Sequence, residues 1–528
     1  MKKRLSLLLA CSLLLGLLSG CGREIDNSGY VPTGNAILME GQDPEDIMPE
    51  EEDTQELTLA YYPDRSLNPL FGSDYTNRVL MSLMYQGLFA VDNSKNVVPI
   101  LCGKYQVSPN NRNLTVYLDQ NATFSDGTKV TPQDVVATYQ QAMKNDYYKN
   151  RFFHFVNIEA TEDGGVIFQV DTPYENLPLL LDIPIVKASE VESEIPTGTG
   201  PYVYVKTNSG ATLERVSNWW CGNAKIPATD QSINLVEVSS PADVRDEFQF
   251  GEVSVVCTNP MSDSFAEYRC DYELWEIESG YMMYIGCNIL YSPHFDDGTL
   301  RTFLSKAVNR EALAEDTYNS MVECVVLPCP ASSPYYNETL ASQGSYDPLG
   351  FIERLSRFHI PTDDKGVEEE LVIVVNSDDS ARTRIARTLA ENLTEMGMPA
   401  ATLECSGSTY KNVIYAQNFD IYIGMTRLSP NYDLTEFFRP YGEMGKGGLA
   451  NETLYNMVLN ALENEGNYYN LYKKMVEDGR IIPMMFGYYA VYAQRGLMPD
   501  LAPSRDNVFY YSLGKTMEGC QLETDYEG

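Results

Sequence analysis

Apolar residues along this chain recur with two periods, and the balance between them changes near Tyr281. Upstream, short runs dominate: Glu56–Tyr61, Val97–Ile100, Tyr105–Val107, Leu114–Leu118, Val166–Val170, Leu213–Val216 and Ser232–Val238 each predict a strand. Arg78–Phe89 instead places Val79, Leu80, Leu83, Met84 and Leu88 on one side of a helix. Pro241–Phe250 predicts a shorter helix, with Ser240 near its cap. Between them, Phe124–Ala142 reads as strand end, turn and helix start. Asp126-Gly127 suits a tight turn, because glycine takes positive φ and aspartate bonds its own backbone. Thr131 is a good N-cap, Pro132 fits the first helical position, and Asp134 falls in the electropositive first turn. A carboxylate–glycine loop also invites an enzymatic reading, although turn and cap chemistry accounts for it without one.

Beyond Tyr281 longer periodic segments take over. Met282–Asn288 predicts a strand and Leu300–Ala314 a helix. Leu371–Asn376 is a continuous apolar strand of the kind buried on both faces. Ser377–Met396 follows as a long helix with Ile385, Leu389 and Leu393 in line, then strand Ala400–Glu404, helix Tyr410–Ala416 and strand Phe419–Gly424. This β-α-β-α-β order predicts a parallel-sheet unit and an α/β fold class. Helices Thr453–Asn464 and Tyr468–Asp478 and a returning strand, Ile481–Ala493, complete the pattern.

The first residues belong to neither period. Lys2, Lys3 and Arg4 precede the apolar run Leu5–Leu18, which is too short for the ~20 residues of an ordinary spanning helix and predicts an export signal. Residues 22–53 are rich in acidic residues, Gly, Pro and Ser, and predict a flexible spacer. The chain has 528 residues, enough for two or three domains, and a formal net charge of −36, which argues against nucleic acid and anionic membrane surfaces as partners.

Candidate chemistry is sparse. There is no HExxH or GxSxG, and His154, His294 and His359 are far apart, so neither catalytic nor metal residues are assigned and no cofactor is expected. Gly514-Lys515-Thr516 lacks the first glycine of a phosphate loop, where Phe509 stands; Thr197–Gly200 lacks a third glycine, where Val203 stands, and reads as a bend. Cysteines sit mostly in apolar runs and read as buried thiols, with Cys324 and Cys329 able to bridge a small loop. Thirty-seven tyrosines, often paired, suit a cleft for a semi-polar ligand, although core packing explains any single pair as well.

Several blocks together resemble the family 5 extracellular solute-binding proteins of ABC importers, the group of oligopeptide-, dipeptide- and nickel-binding proteins. Leu18-Ser19-Gly20-Cys21 resembles a lipobox, which implies lipidation of Cys21. Phe124–Thr128 with Thr131, Asp134-Val135 and Tyr139 is similar to the family's most recognisable block. Thr197–Tyr202 with Trp219-Trp220, Pro293–Arg310 (with Asn309 where aspartate is usual), Phe419–Tyr422 and the closing IIPMMFGYYAVYAQRGL follow in order. The resemblance spans about Leu57 to Thr516.

It implies a two-lobed, periplasmic-binding-protein-like α/β fold of class II type with an extra subdomain inserted in lobe one. The expected divisions are 1–20 (signal), 21–55 (linker), 56–98 and 188–280 (lobe one), 99–187 (insert), 281–483 (lobe two) and 484–528 (return to lobe one). The implied function is capture of a peptide or similar solute between the lobes and delivery to ABC permease subunits. The protein would be a monomer at the outer face of the bacterial cytoplasmic membrane, held by its lipid alone. A receptor that signals to a sensory partner is the alternative. Oligopeptide binders resemble G-W-x-x-D-Y-x-D-P after one lobe-two strand. Here Gly424–Leu434 departs from it, with Met425 for Trp and Leu428 for the first aspartate. Asp433 remains a candidate for a ligand amine, or for loop capping, and Arg427 for a carboxylate. Tyr488 and Tyr489 match a tyrosine-rich cleft segment, with Asn68, Phe71 and Tyr75 as lobe-one candidates.

Overall fold

The computed structural model describes residues 57–71, 74–208, 210–221, 232–498 and 501–509. The predicted signal, Cys21, the linker to residue 55, Gly514-Lys515-Thr516 and Cys520 lie outside them. The chain opens with β1 (Thr58–Tyr61) and α1 (Tyr75–Met84), then a hairpin of β2 (Phe89–Val91) and β3 (Val97–Pro99). β4 (Cys102–Val107), β5 (Asn113–Leu118), α2 (Pro132–Ala142), β6 (Phe155–Ala160) and β7 (Val166–Val170) follow. Next come β8 (Tyr202–Thr207), β9 (Gly210–Arg215), β10 (Ser232–Glu237), α3 (Pro241–Gln249), β11 (Val255–Thr258) and β12 (Tyr272–Cys287). The rest holds β13 (Val322–Cys324), β14 (Leu371–Asn376), α4 (Ser380–Glu395), β15 (Ala400–Cys405), β16 (Ile421–Arg427) and β17 (Ile481–Gln494), among further helices.

One long sheet runs β15-β14-β16-β12-β17-β11-β1-β10-β9-β8, with β13 added against β17. At one end β14 pairs in parallel with β15 and β16, as the apolar periodicity predicts. Ile385, Leu389 and Leu393 of α4 pack there with Ile373, Val375, Ile421 and Ile423. At the other end β1 pairs in parallel with β10 and β11. The two ends are the two lobes. A separate sheet, β4-β5-β7-β6, is the inserted subdomain, and Tyr139 of α2 meets Phe168 of β7 edge-on at 5.0 Å.

The Phe124–Ala142 stretch fastens this insert. Thr131 and Asp134 form a reciprocal capping box, and Gly127 has φ +82° in the turn. Asp126 meets Lys187 at 2.5 Å, Asp134 Oδ1 accepts from Ala188 N at 2.7 Å, and Ser125 N donates to Gly198 O at 2.9 Å. The bend at Thr197–Gly200 therefore touches the turn directly. Its glycines are required by close approach: a Cβ on Gly198 would stand 2.1 Å from Met84 O, and one on Gly200 2.3 Å from Leu83 O.

Three local expectations change. Strand β12 starts ten residues before Met282, at Tyr272. Glu273, Glu276 and Glu278 interrupt its apolar residues, and this charge hides the strand from a hydrophobicity pattern. The helix expected over Leu300–Ala314 is interrupted, because Val308 is extended (ψ 101°) and Asn309 caps a new helix, Arg310–Tyr318, through Ala312 N. Cys324 and Cys329 are free thiols.

Candidate functional site

Two long strands carry the chain between the lobes. The first half of β12, Tyr272–Glu278, lies along Tyr488–Gln494 of β17; its second half, Met282–Gly286, lies along Ile481–Phe486 and beside β16. The pairing register shifts between Glu278 and Met282. Ser279 and Gly280 sit at that break, and Gly280 has φ +82°.

A cavity of about 680 Å³ opens on lobe one beside the crossing strands, within the range of small-solute sites. Phe71 from the turn before α1, Tyr75 from its first position, and Asn259, Ser262, Phe265 and Tyr268 from the loop after β11 line it. Asp74 caps α1 through Asn77 N (3.1 Å) and pairs with Arg65. The loop after β11 reaches lobe two, where Asp263 accepts a hydrogen bond from Ser380 at the start of α4, 2.8 Å away. A groove of about 230 Å³ continues between that loop and Tyr318, Ser380 and Arg384. The walls of the large cavity combine aromatic rings and neutral hydroxyls or amides with the charged groups Arg65, Asp74 and Arg245. The arginines of the large cavity are matched, Arg65 by Asp74 and Arg245 by Asp246, and Arg384 of the groove donates to Asp316 O at 2.9 Å.

A chain of contacts leads inward from this cavity. The Tyr75 ring lies 4.8 Å from that of Tyr489. Tyr147 of the insert is sandwiched between the guanidinium groups of Arg78 and Arg427, each 3.6 Å from its ring centre. Arg427 donates to Ser279 O (3.0 Å), Tyr147 O (2.9 Å) and Asp506 Oδ1 (2.8 Å). Arg505 pairs with Glu278 at 3.5 Å and donates to Leu428 O. Lys95 pairs with Glu278 at 2.9 Å. Burial alone would raise the pKa of each of these carboxyl groups, and neighbouring cations decide the outcome. Lys95 and Arg505 bring Glu278 down to about 2. Arg427 and Arg151 hold Asp506 well below the usual range. For Asp182, beside Arg151, burial prevails and the shift is upward. A second cavity, about 360 Å³, lies at this cluster, lined by Lys95, Glu278, Glu323, Tyr488, Arg505 and Asp506.

Residues 96–447 match the family model of bacterial extracellular solute-binding proteins, family 5, middle region. The chain belongs to this family. Among its family 5 relatives is the glutathione-binding protein GsiB of Pectobacterium atrosepticum, 27% identical over 286 residues. That match covers 51% of this chain and 55% of the relative, so the chain spans little more than half the length of the curated relative it matches. The fold is similar to the putative peptide binding protein AppA from Clostridium difficile, with TM-score 0.69 and 17% identity over 87% of this chain and 99% of that one. It is likewise similar to the ABC transporter substrate binding protein CtaP from Listeria monocytogenes, with TM-score 0.66 and 17% identity over 86% and 97%.

In this family 5 protein the residues singled out from sequence fall in different places. Phe71, 44% exposed, and Tyr75 line the large cavity, and Tyr489 backs Tyr75. Tyr488 points to the opposite face of β17, as strand alternation demands, and donates to Glu323 at 2.9 Å in the smaller cavity. Met425 is exposed at the end of β16, opposite Met283. Arg427 is buried and meets a carboxylate of its own chain. Asp433 is buried: Oδ1 accepts from Thr435 N at 2.8 Å, and Oδ2 lies 3.5 Å from His154 Nε2. Asn68 is fully buried and its amide holds Val191 O and Ser193 O, at 2.9 and 2.8 Å. Arg78, Arg151, Glu278, Arg505 and Asp506 were not singled out. They come from four separate segments, Arg505 and Asp506 being neighbours, so the sequence offered for this centre only Arg427, as a carboxylate partner, and the recurrent tyrosine pairs, of which Tyr147-Tyr148 is one.

Proposed function

We propose that this chain captures a peptide or a similar semi-polar solute in the lobe-one cavity and hands it to the permease subunits of an ABC importer. The observation that carries the reading is that cavity. Its aromatic and amide lining adjoins the strands on which the lobes would close, and family 5 membership supplies the context. Phe71 and Met425 are contacts proposed on exposure, and half-buried Tyr75 on its place in the cavity wall, with Tyr489 behind it. Lipid attachment at Cys21 would tether a monomer to the outer face of the cytoplasmic membrane, with residues 21–55 as the spacer. The divisions proposed for the lobes are 56–98 with 188–280 and 484–528 for lobe one, 281–483 for lobe two, and 99–187 for the insert. Mass spectrometry of solute released from the purified protein, with thermal shift across a broad peptide library, tests this reading. Retained or stabilising peptides are expected. Absence of both would overturn peptide capture.

A further inference from the structure

The arrangement around Asp506 has the chemistry of a carboxylate receptor already filled. Arg427 Nη2 and the Tyr147 hydroxyl both donate to Asp506 Oδ1, at 2.8 and 2.7 Å, and Arg151 Nη2 pairs with Oδ2. The three charged side chains are nearly solvent-free: Asp506 5% exposed, Arg427 5% and Arg151 2%. Two guanidinium groups and a phenol converging on one buried carboxylate are what a protein offers to a solute carboxylate. Here the carboxylate arrives on segment 501–509. Buried Val508 and Phe509, Asn93 bonding Pro503 O at 2.9 Å, and the Arg505 contacts with Leu428 O and Glu278 anchor that segment.

We propose that Asp506 is an internal stand-in for a solute carboxylate. Building on the solute-binding reading above, this names the solute class: molecules recognised without an arginine–carboxylate clamp, neutral or cationic at the end that faces the lobe crossing. The arginines lining the large cavity are matched as well, and the chain carries a net charge of −36, so nothing in the surroundings favours an anionic solute. A solute bringing its own carboxylate would have to displace segment 501–509.

The test uses the purified full chain and acetate as the probe, at roughly 0.1 M against chloride of equal ionic strength. Wild-type protein is expected to melt at the same temperature in both salts. Asp506→Ala is expected to melt at least about 3 °C lower, and acetate, but not acetamide, should restore much of the loss. Asp506→Asn, which keeps the shape, should lose stability and ignore acetate; this arm and the wild-type arm stand if the alanine variant fails to fold. Stabilisation of wild type by acetate, an unchanged Asp506→Ala, or equal rescue by acetamide would overturn the stand-in. A peptide library offered as free acids and as C-terminal amides separates the two readings. Matched affinities support both, and a tenfold preference for free acids overturns the stand-in. No binding at all, beside acetate rescue, would overturn peptide capture alone.

Discussion

Gly280 offers a quantitative test of the lobe crossing. Its φ of +82° lies in the left-handed region, and a Cβ there would stand 2.0 Å from Arg505 Nη2 and 2.4 Å from its Cζ. Gly280→Ala therefore faces two separate penalties. The backbone conformation costs a non-glycine residue roughly 1–2 kcal/mol. Moving the buried Arg505 guanidinium away breaks its hydrogen bond to Leu428 O and its pairing with Glu278, at about 1.5–3 kcal/mol for a charged donor. The sum is about 2.5–5 kcal/mol. Only the second part depends on Arg505, so Arg505→Ala should suffer that loss alone, and the double variant should add only the backbone part. Equilibrium urea unfolding of the four proteins gives the double-mutant cycle, with an expected coupling of about 1.5–3 kcal/mol. Strict additivity, within about 0.5 kcal/mol, would refute the claim that Arg505 is packed onto this glycine, and a neutral Gly280→Ala would refute the claim of backbone strain.

Other measurements address the surrounding groups. Glu278 ionises at about 2 when folded against an ordinary 4.5, so its pairing stabilises fully above pH 4.5 and is lost as pH falls from there toward 2. Glu278→Gln should flatten that part of a melting-temperature profile, and an unchanged slope would contradict the pairing with Lys95 and Arg505. Phe71→Ala should weaken solute binding at least tenfold, about 1.4 kcal/mol, while leaving the melting temperature nearly unchanged because the ring is 44% exposed; unaltered affinity would remove it from the site. Asp433→Ala should lower stability by about 1–2 kcal/mol through loss of its bond to Thr435 N; a tenfold affinity loss with unaltered stability would instead make it the partner of a solute amine.

Local chemistry made much of the fold legible beforehand. The Thr131–Asp134 cap, the Gly127 turn, the parallel unit around Leu371–Asn376 and the α4 stripe Ile385, Leu389, Leu393 all depend on neighbours within one turn or strand, and the structure has them where periodicity and capping place them. Where the pattern misled, a local signal competed: glutamates masked the start of β12, and Asn309 restarted a helix. The centre of the molecule was a different matter. Tyr147 and Arg151 share one segment, but Glu278, Arg427 and Asp506 lie far from it and from one another in sequence; Arg427 alone reads as a carboxylate partner, and the others read as ordinary surface, turn or packing residues. Sequence determined which segments become strands and helices, because hydrophobic period and turn chemistry are short-range. Only the tertiary structure decided that Arg427 meets Asp506, because that pairing depends on which segments the lobe crossing brings within reach once water is excluded.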